Sequence, residues 1–563
     1  MAVTLPRLLS AALIAALSAA AMGCPPSPAI ERVNETVGRP ALQTRAERSK
    51  FTETSRYADV MAFIDSLKVR KAAMWDTSYG VTTEGRAIPF IVLSRPRVMN
   101  AEFAHRLGRP IVYVQGNIHA GEVEGKEALL MLMRDLSAQA SPGILDSIVL
   151  IVVPIYNADG NERFAAQERN RGEQNGPELV GQRPNAMGLD LNRDYVKAEA
   201  PETRASLAAF NAWDPDVFVD LHTTDGSYHG YALTYAPSLS PAAPLGDFTR
   251  ELLRTLRSRM RDRHRTEVFD YGNFDRGFSA IQDSAPKGWH SYEHLPRYGT
   301  NYYGLRGRIS ILSEAYSHDP FERRVRSTYD FVRELLGLVG DRASAIRAER
   351  GRVESALTGD LTANRGNSGG EQGGGIALRA ALSEPSHSEA ILVEQLARVA
   401  DTTVRSEPGV RRGYRRLGRV TPVVMPVFDR FTPTLRRSYP RGYIIPASDT
   451  AALRVLRLHG VQMRVAPSTT LMTEVFDIDS IATSARAFQN HREISLTGRW
   501  RSERRAMAAG SYIVDTSQPL GLVAFYLLEP ESDDGLVTWN FFDAELKKGG
   551  EFPILRVLDA LPR

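Results

Sequence analysis

Short, uninterrupted apolar runs recur through the first 320 residues, each broken by glycine, proline, asparagine or aspartate. The runs at 110–114, 148–153, 216–221 and 308–313 have the length and bounding turn residues of buried strands. Between them lie stretches with helical spacing. Ala58, Val60, Met61, Phe63, Ile64 and Leu67 mark one face of a helix over 55–69, residues 128–133 are good helix formers, and 328–340 continues the pattern. Residues 79–93 read as a hairpin turning near Glu84-Gly85. Strands alternating with helices predict an α/β domain with a mostly parallel sheet, in which ligands gather at the carboxyl ends of the strands.

The pattern changes after residue 357. Residues 358–375 are rich in glycine, serine, asparagine and threonine, too poor in apolar side chains to pack, and read as a linker. A second unit follows, with strands at 442–446 and 461–465, a helix at 451–458, and strand-like runs at 512–514 and 523–528. It holds no histidine, cysteine or acidic cluster at metal-ligand spacing, so it reads as an accessory that supports or shapes the first unit. The division is 1–24 signal, 25–50 tether, 51–350 catalytic domain, 351–385 linker and 386–563 accessory domain, the last α/β or β-rich.

A length of 563 residues supports this multi-domain reading, because one core rarely grows so large. A hydrophobic fraction of 43% with 24% charged residues excludes a multi-span membrane protein. The net charge of +4 comes from arginines interleaved with acids, which argues against a nucleic-acid partner. At the start, Arg7 precedes an apolar run over 8–17, then small residues and Cys24, the only cysteine. That order reads as an export signal, and Ala21-Met22-Gly23-Cys24 resembles a bacterial lipoprotein signal with Cys24 as the lipid anchor. The expected location is outside the cytoplasm, periplasmic or at the cell surface, anchored by lipid or otherwise secreted. With a single cysteine, no internal disulfide forms.

The chemistry is concentrated where strands end. His119 and Glu122 follow the strand at 110–114, His222 ends the strand at 216–221, and Glu314 follows 308–313. Two imidazoles and one carboxylate form a three-ligand set, the open kind that leaves a position for water on a catalytic zinc. Glu314, with no adjacent base, is then available as general base for that water.

These segments, taken in order, resemble the motifs of the zinc metallocarboxypeptidases of the carboxypeptidase A type. The matching pieces are 116–125, Asn157-Ala158-Asp159-Gly160, Gly188-Leu189-Asp190-Leu191-Asn192-Arg193, Asp220-Leu221-His222 and Leu312-Ser313-Glu314, with Glu84-Gly85-Arg86 as the opening hairpin. The resemblance spans about residues 50–340 and implies an α/β/α sandwich around a mixed sheet of about eight strands, with one Zn2+ per chain. It implies that His119, Glu122 and His222 hold the metal and that Glu314 activates water. It further implies that Asn192 and Arg193 bind the terminal carboxylate of a peptide substrate with a free C-terminus. For the arginine that polarises the scissile carbonyl, Arg163, Arg169 and Arg171 compete, with Arg171 preferred. For the mobile tyrosine, Tyr292, Tyr298, Tyr302 and Tyr303 compete, with Tyr292 preferred on spacing. Asp194 departs from the family's usual asparagine. Two other readings use the same scaffold: a zinc amidase or deacylase for cell-wall peptides or acylated amino acids, and a non-catalytic binding protein.

Overall fold

The computed structural model describes residues 42–70, 73–275, 286–359, 375–403, 406–508 and 510–562. The expected signal with Cys24, most of the tether and residues 360–374 of the expected linker lie outside them.

The expected strands assemble into one eight-stranded sheet. In chain order they are β1 (Met74–Val81), β2 (Ala87–Leu93), β3 (Ile111–Gly116), β4 (Val149–Val153), β5 (Val217–Thr223), β6 (Leu233–Pro237), β7 (Val268–Asp270) and β8 (Ile309–Ala315). Across the sheet the order is β1-β2-β4-β3-β5-β8-β6-β7. The pairs β3–β4, β3–β5, β5–β8 and β6–β7 are parallel, and the other three are antiparallel. Strands β3, β4 and β5 are buried at every position. Their continuous apolar runs therefore reflect cover on both faces of the sheet.

The cover comes from helices α1 (Tyr57–Val69), α2 (Glu124–Ala138), α3 (Pro201–Trp213), α4 (Gly246–His264), α5 (Gly299–Leu305), α6 (Phe321–Asp341) and α7 (Ala343–Thr358). Helix α6 packs on α2 and α4, while α3 packs on β1. Helix α6 begins seven residues earlier than the periodicity over 328–340 marks, and α7 runs through the boundary expected at residue 350.

Leu42–Arg563 forms one compact unit. The C-terminal part is β-rich, with six strands in one sheet: 464–465, 512–515, 442–445, 555–557, 470–483 and 494–506. A four-stranded sheet joins the two parts directly, because Trp289–His290 pairs in parallel with Val427 and Phe428. The helix Thr450–His459 packs on α3, and Leu453, Val455 and Leu456 share a core with the main sheet. One expectation fails here. Residues 523–528 belong to a fully buried helix, Gly521–Leu528, and not to a strand. A short run that is apolar all round carries no periodicity to separate the two.

Candidate active site

Strands β3, β5 and β8 lie side by side and parallel, so their carboxyl ends open on one edge of the sheet. The register sets Glu314 opposite His222 on neighbouring strands. His119 and Glu122 arrive differently. They lie in a tight turn before α2, which begins at Glu124. Asn117 takes a left-handed φ of 64° to start the turn, and its Nδ2 donates to Ala120 O and Glu122 O at 3.2 Å each. The Glu122 amide closes it on His119 O at 3.0 Å. Gly125 completes the approach: a Cβ there would meet Leu221 Cβ at 2.8 Å, so glycine lets α2 start directly against β5.

His119, Glu122 and His222 are 3–4% exposed. Their Nδ1, Oε and Nδ1 atoms converge. His119 Nδ1 lies 3.0 Å from Glu122 Oε1, His222 Nδ1 lies 3.0 Å from Glu122 Oε2, and the two Nδ1 atoms are 3.2 Å apart. Four ligands arranged tetrahedrally about zinc at 2.0–2.1 Å stand about 3.3–3.4 Å from one another, close to what these atoms show. The far sides of both rings explain why Nδ1 is the free donor. His119 Nε2 sits 3.1 Å from Asp190 Oδ1, and His222 Nε2 sits 3.1 Å from Asp220 Oδ2. On His119 the carboxylate bonded to Nε2 holds the proton there and leaves the Nδ1 lone pair for a metal, and Asp220 stands in the same place behind His222. Burial alone would push the Glu122 carboxyl up, yet His119 and Arg171 hold it well below the usual carboxylate range. The donor set fits one zinc ion with an open fourth position.

Glu314 faces the same cavity as these three residues and as Arg183, Asn192, Arg193, Asp225, Tyr271, Tyr292, Tyr298, Thr300 and Leu312. Burial pushes its carboxyl well above the usual range, and the negative charges of Glu122 and Asp225 add to this against His222 and Arg171. Asn192 presents its Oδ1 to Gly299 N at 2.9 Å, which fixes the side chain at the start of α5. The Arg193 guanidinium lies 3.9 Å over the Tyr298 ring, with one N–H on Asn192 O at 2.9 Å. Asp194, the departure from the usual asparagine, is a structural hub. It accepts from Lys197 Nζ at 2.9 Å and from the amides of Glu199 and Ala200.

The candidate arginines and tyrosines separate by where the fold puts them. Arg171 reaches Glu122 Oε1 at 3.3 Å, but its Nη2 is spent on Thr223 O and Thr224 O, at 2.5 and 2.9 Å, and it does not line the cavity. Arg163 pairs instead with Glu84 in the opening hairpin. Besides Arg193, the arginine that lines the cavity is Arg183, anchored on Asp190 Oδ2 at 2.8 Å and 3.6 Å from Glu122. Among the tyrosines, Tyr302 and Tyr303 are core residues, with Tyr302 bonded to His459, whereas Tyr292 and Tyr298 face the cavity.

Sequence reasoning assigned no role to Arg183, Asp190 or Asp220. Asp220 was findable, since it precedes His222 by two on a strand and must share its face. Arg183 lies in irregular chain, where spacing predicts no direction.

Residues 60–302 match the profile of the zinc carboxypeptidase family. The match stops short of Glu314, which the fold supplies. Carboxypeptidase 2 of Trichophyton tonsurans is 23% identical over 494 residues, spanning 84% of this chain and 81% of that protein. Human carboxypeptidase D is 32% identical over 114 residues, 17% of this chain and 8% of that protein. The crystal structure of a metallo-carboxypeptidase from Burkholderia cenocepacia aligns with a TM-score of 0.37 at 18% identity, over 52% of this chain and 70% of that one.

Proposed function

Residues 60–302 belong to the zinc carboxypeptidase family, and from that premise we propose which groups of this chain carry out hydrolysis of a C-terminal peptide bond. The observation that carries the reading is the convergence of two carboxylate-backed Nδ1 atoms and Glu122 within 3.0–3.2 Å, with Glu314 facing the same cavity. Zinc held there acts as a Lewis acid and lowers the pKa of water toward neutrality.

Glu314 takes the proton of the attacking water and delivers it to the departing amine. A carboxyl raised by burial holds that proton long enough to pass it on. Arg183, held at the cavity by Asp190, directs N–H groups toward the oxygen that gains charge as the carbonyl becomes tetrahedral. Arg193 and Asn192 grip the terminal carboxylate, the planar guanidinium offering paired donors. Tyr271, Tyr292, Tyr298, Thr300 and Leu312 give the cavity a largely aromatic wall, with Asp225 as its one carboxylate besides Glu122 and Glu314, and that aromatic wall suits an apolar C-terminal side chain. The amidase reading has no use for Arg193, and the binding-protein reading has none for Glu314. The apolar run over 8–17 and Cys24 support export with a lipid anchor.

The deciding experiment compares peptides with free and amidated C-termini, ending in phenylalanine or leucine on one side and in arginine or glutamate on the other. Cleavage confined to free peptides, with apolar ends preferred, is the expected result. Equal cleavage of amidated peptides would move the amidase reading ahead.

A further inference from the structure

The C-terminal part touches the loops around the site at a place that the reaction above leaves unused. Its segment 409–412 is pressed against two loops of the catalytic part. Gly409, at a φ of 75°, lies on Gln174 and Asn175: a Cβ there would stand 2.8 Å from Gln174 C, so glycine permits the approach. Its carbonyl lies 3.1 Å from His318 Nδ1, and His318 Nε2 lies 2.9 Å from Gly226 O. The Tyr228 ring stacks on His318 with centroids 3.9 Å apart, and the Tyr228 hydroxyl accepts from Arg411 N at 2.9 Å.

These contacts wall a cleft of about 390 Å³ lined by Gly172, Glu173, Gly226, Tyr228, Arg411 and Arg412, together with His318 and Gly409. Both of its catalytic-side walls continue from the site. Gly172 follows Arg171, which is 3.3 Å from Glu122, and Gly226 follows Asp225, which lines the catalytic cavity. The cleft shares neither Asn192 nor Arg193. A peptide whose terminal carboxylate sits on those two residues must lead its upstream part away from them. The cleft, whose walls run on in the chain from Arg171 and Asp225, offers a place for that part.

The lining is charged. Arg411 and Arg412 are exposed and make no ion pair among the described residues. Glu173 is the one carboxylate in the lining, and both ring nitrogens of His318 are taken up by carbonyl oxygens. Two guanidinium groups against one carboxylate leave one positive charge in excess.

Resting on the carboxypeptidase reading, we propose that this cleft takes the residues two to four positions upstream of the scissile bond. Arg411 and Arg412 favour a carboxylate side chain among them. The C-terminal part is then a specificity element of the enzyme.

The test uses the full chain and peptides of one C-terminal sequence, varied to Glu, Ala or Lys at one upstream position at a time. An N-blocked dipeptide with the same C-terminal residue is the short reference. In the wild type, kcat/KM at one or more of these positions should favour Glu over Lys by about three- to tenfold at low salt, shrinking as salt rises. The Arg411→Glu/Arg412→Glu double variant should invert that ratio, and Arg411→Ala alone should reduce it. Because the readout is a ratio within each variant, a general loss of folded enzyme cancels. A wild-type ratio within twofold at all three positions, or one that persists in the double variant, overturns the proposal. If neither long peptides nor the dipeptide are cleaved, the carboxypeptidase reading is at fault instead. Cleavage of the dipeptide without upstream preference refutes the cleft alone.

Discussion

Two buried polar clusters, one in each part of the molecule, show how differently the same residue types are used. In the C-terminal part, Arg556 and Glu529 are fully buried together. Arg556 Nε donates to Glu529 Oε1 at 2.8 Å, Tyr443 Oη donates to the same oxygen at 2.6 Å, and Glu474 lies 3.2 Å from Arg556 Nη1. The guanidinium also lies 3.6 Å over the Trp500 ring. The principal charged groups there have partners within the cluster. In the catalytic part, carboxylates stand behind two histidines and fix them, yet the two Nδ1 atoms and Glu122 are left facing one another. A closed cluster is a strut. A cluster whose donors converge on a common point, backed by fixed partners, is built for something that comes from outside.

The largest expected effects separate the two clusters by what is lost. His222→Ala removes one metal ligand and should abolish stoichiometric zinc and turnover, leaving the fold assembled. Glu314→Gln should keep zinc and lower kcat by about 10²–10⁴, because an amide of the same shape accepts no proton. Metal analysis alongside kcat checks both. Full zinc and activity in the histidine variant would remove His222 from the ligand set, and a normal kcat in the glutamine variant would remove Glu314 from the chemistry.

Arg556→Met, in the closed cluster, should do the reverse. It leaves Glu529 buried without its cation, a change that costs about 3–5 kcal/mol of stability. Folded protein at low temperature should nevertheless bind one zinc and hydrolyse peptides at close to the wild-type kcat. Thermal melting followed with and without chelator reads the two quantities apart. An unchanged melting temperature would show that the buried pair is not a strut, and lost zinc binding would show that the parts are coupled more tightly than their chemistry suggests.

This contrast also explains what could be read from the sequence. That His119, Glu122, His222 and Glu314 would gather was legible because each sits at the end of an apolar strand, and parallel strands bring their ends to one edge whatever lies between them. The sheet was legible for the same reason: runs such as 110–114 and 148–153 are apolar at every position because both faces are covered. The geometry of the turn at His119 was not legible, since a spacing of three fits a helix and this turn alike. Arg183 was missed because its direction depends on irregular chain and on Asp190, 7 residues away. The strand expected at 523–528 failed because uniform burial erases periodicity. Contacts between the parts left no trace at all, since Tyr302 with His459 and Trp289 with Val427 pair residues far apart in the chain.

The smallest expected effect probes one such contact. Gln489, in a loop of the C-terminal part, accepts at Oε1 from the Asp190 amide at 2.9 Å. Asp190 in turn holds His119 Nε2 at 3.1 Å and Arg183 at 2.8 Å, so this glutamine fixes the backbone of the residue that orients a ligand and an arginine at once. Gln489→Ala removes that acceptor. A single hydrogen bond is worth about 0.5–1.5 kcal/mol net, which corresponds to roughly two- to twelvefold in kcat/KM. If Gln489 acts through Asp190, the loss should fall on kcat/KM and on zinc affinity together, because His119 and Arg183 loosen as a pair. Gln489→Glu should restore much of both, since a carboxylate offers the same acceptor to the amide. A loss of melting temperature with both readouts unchanged would make the contact a structural one. The loop would then belong with Arg556 and Glu529 on the supporting side of the comparison.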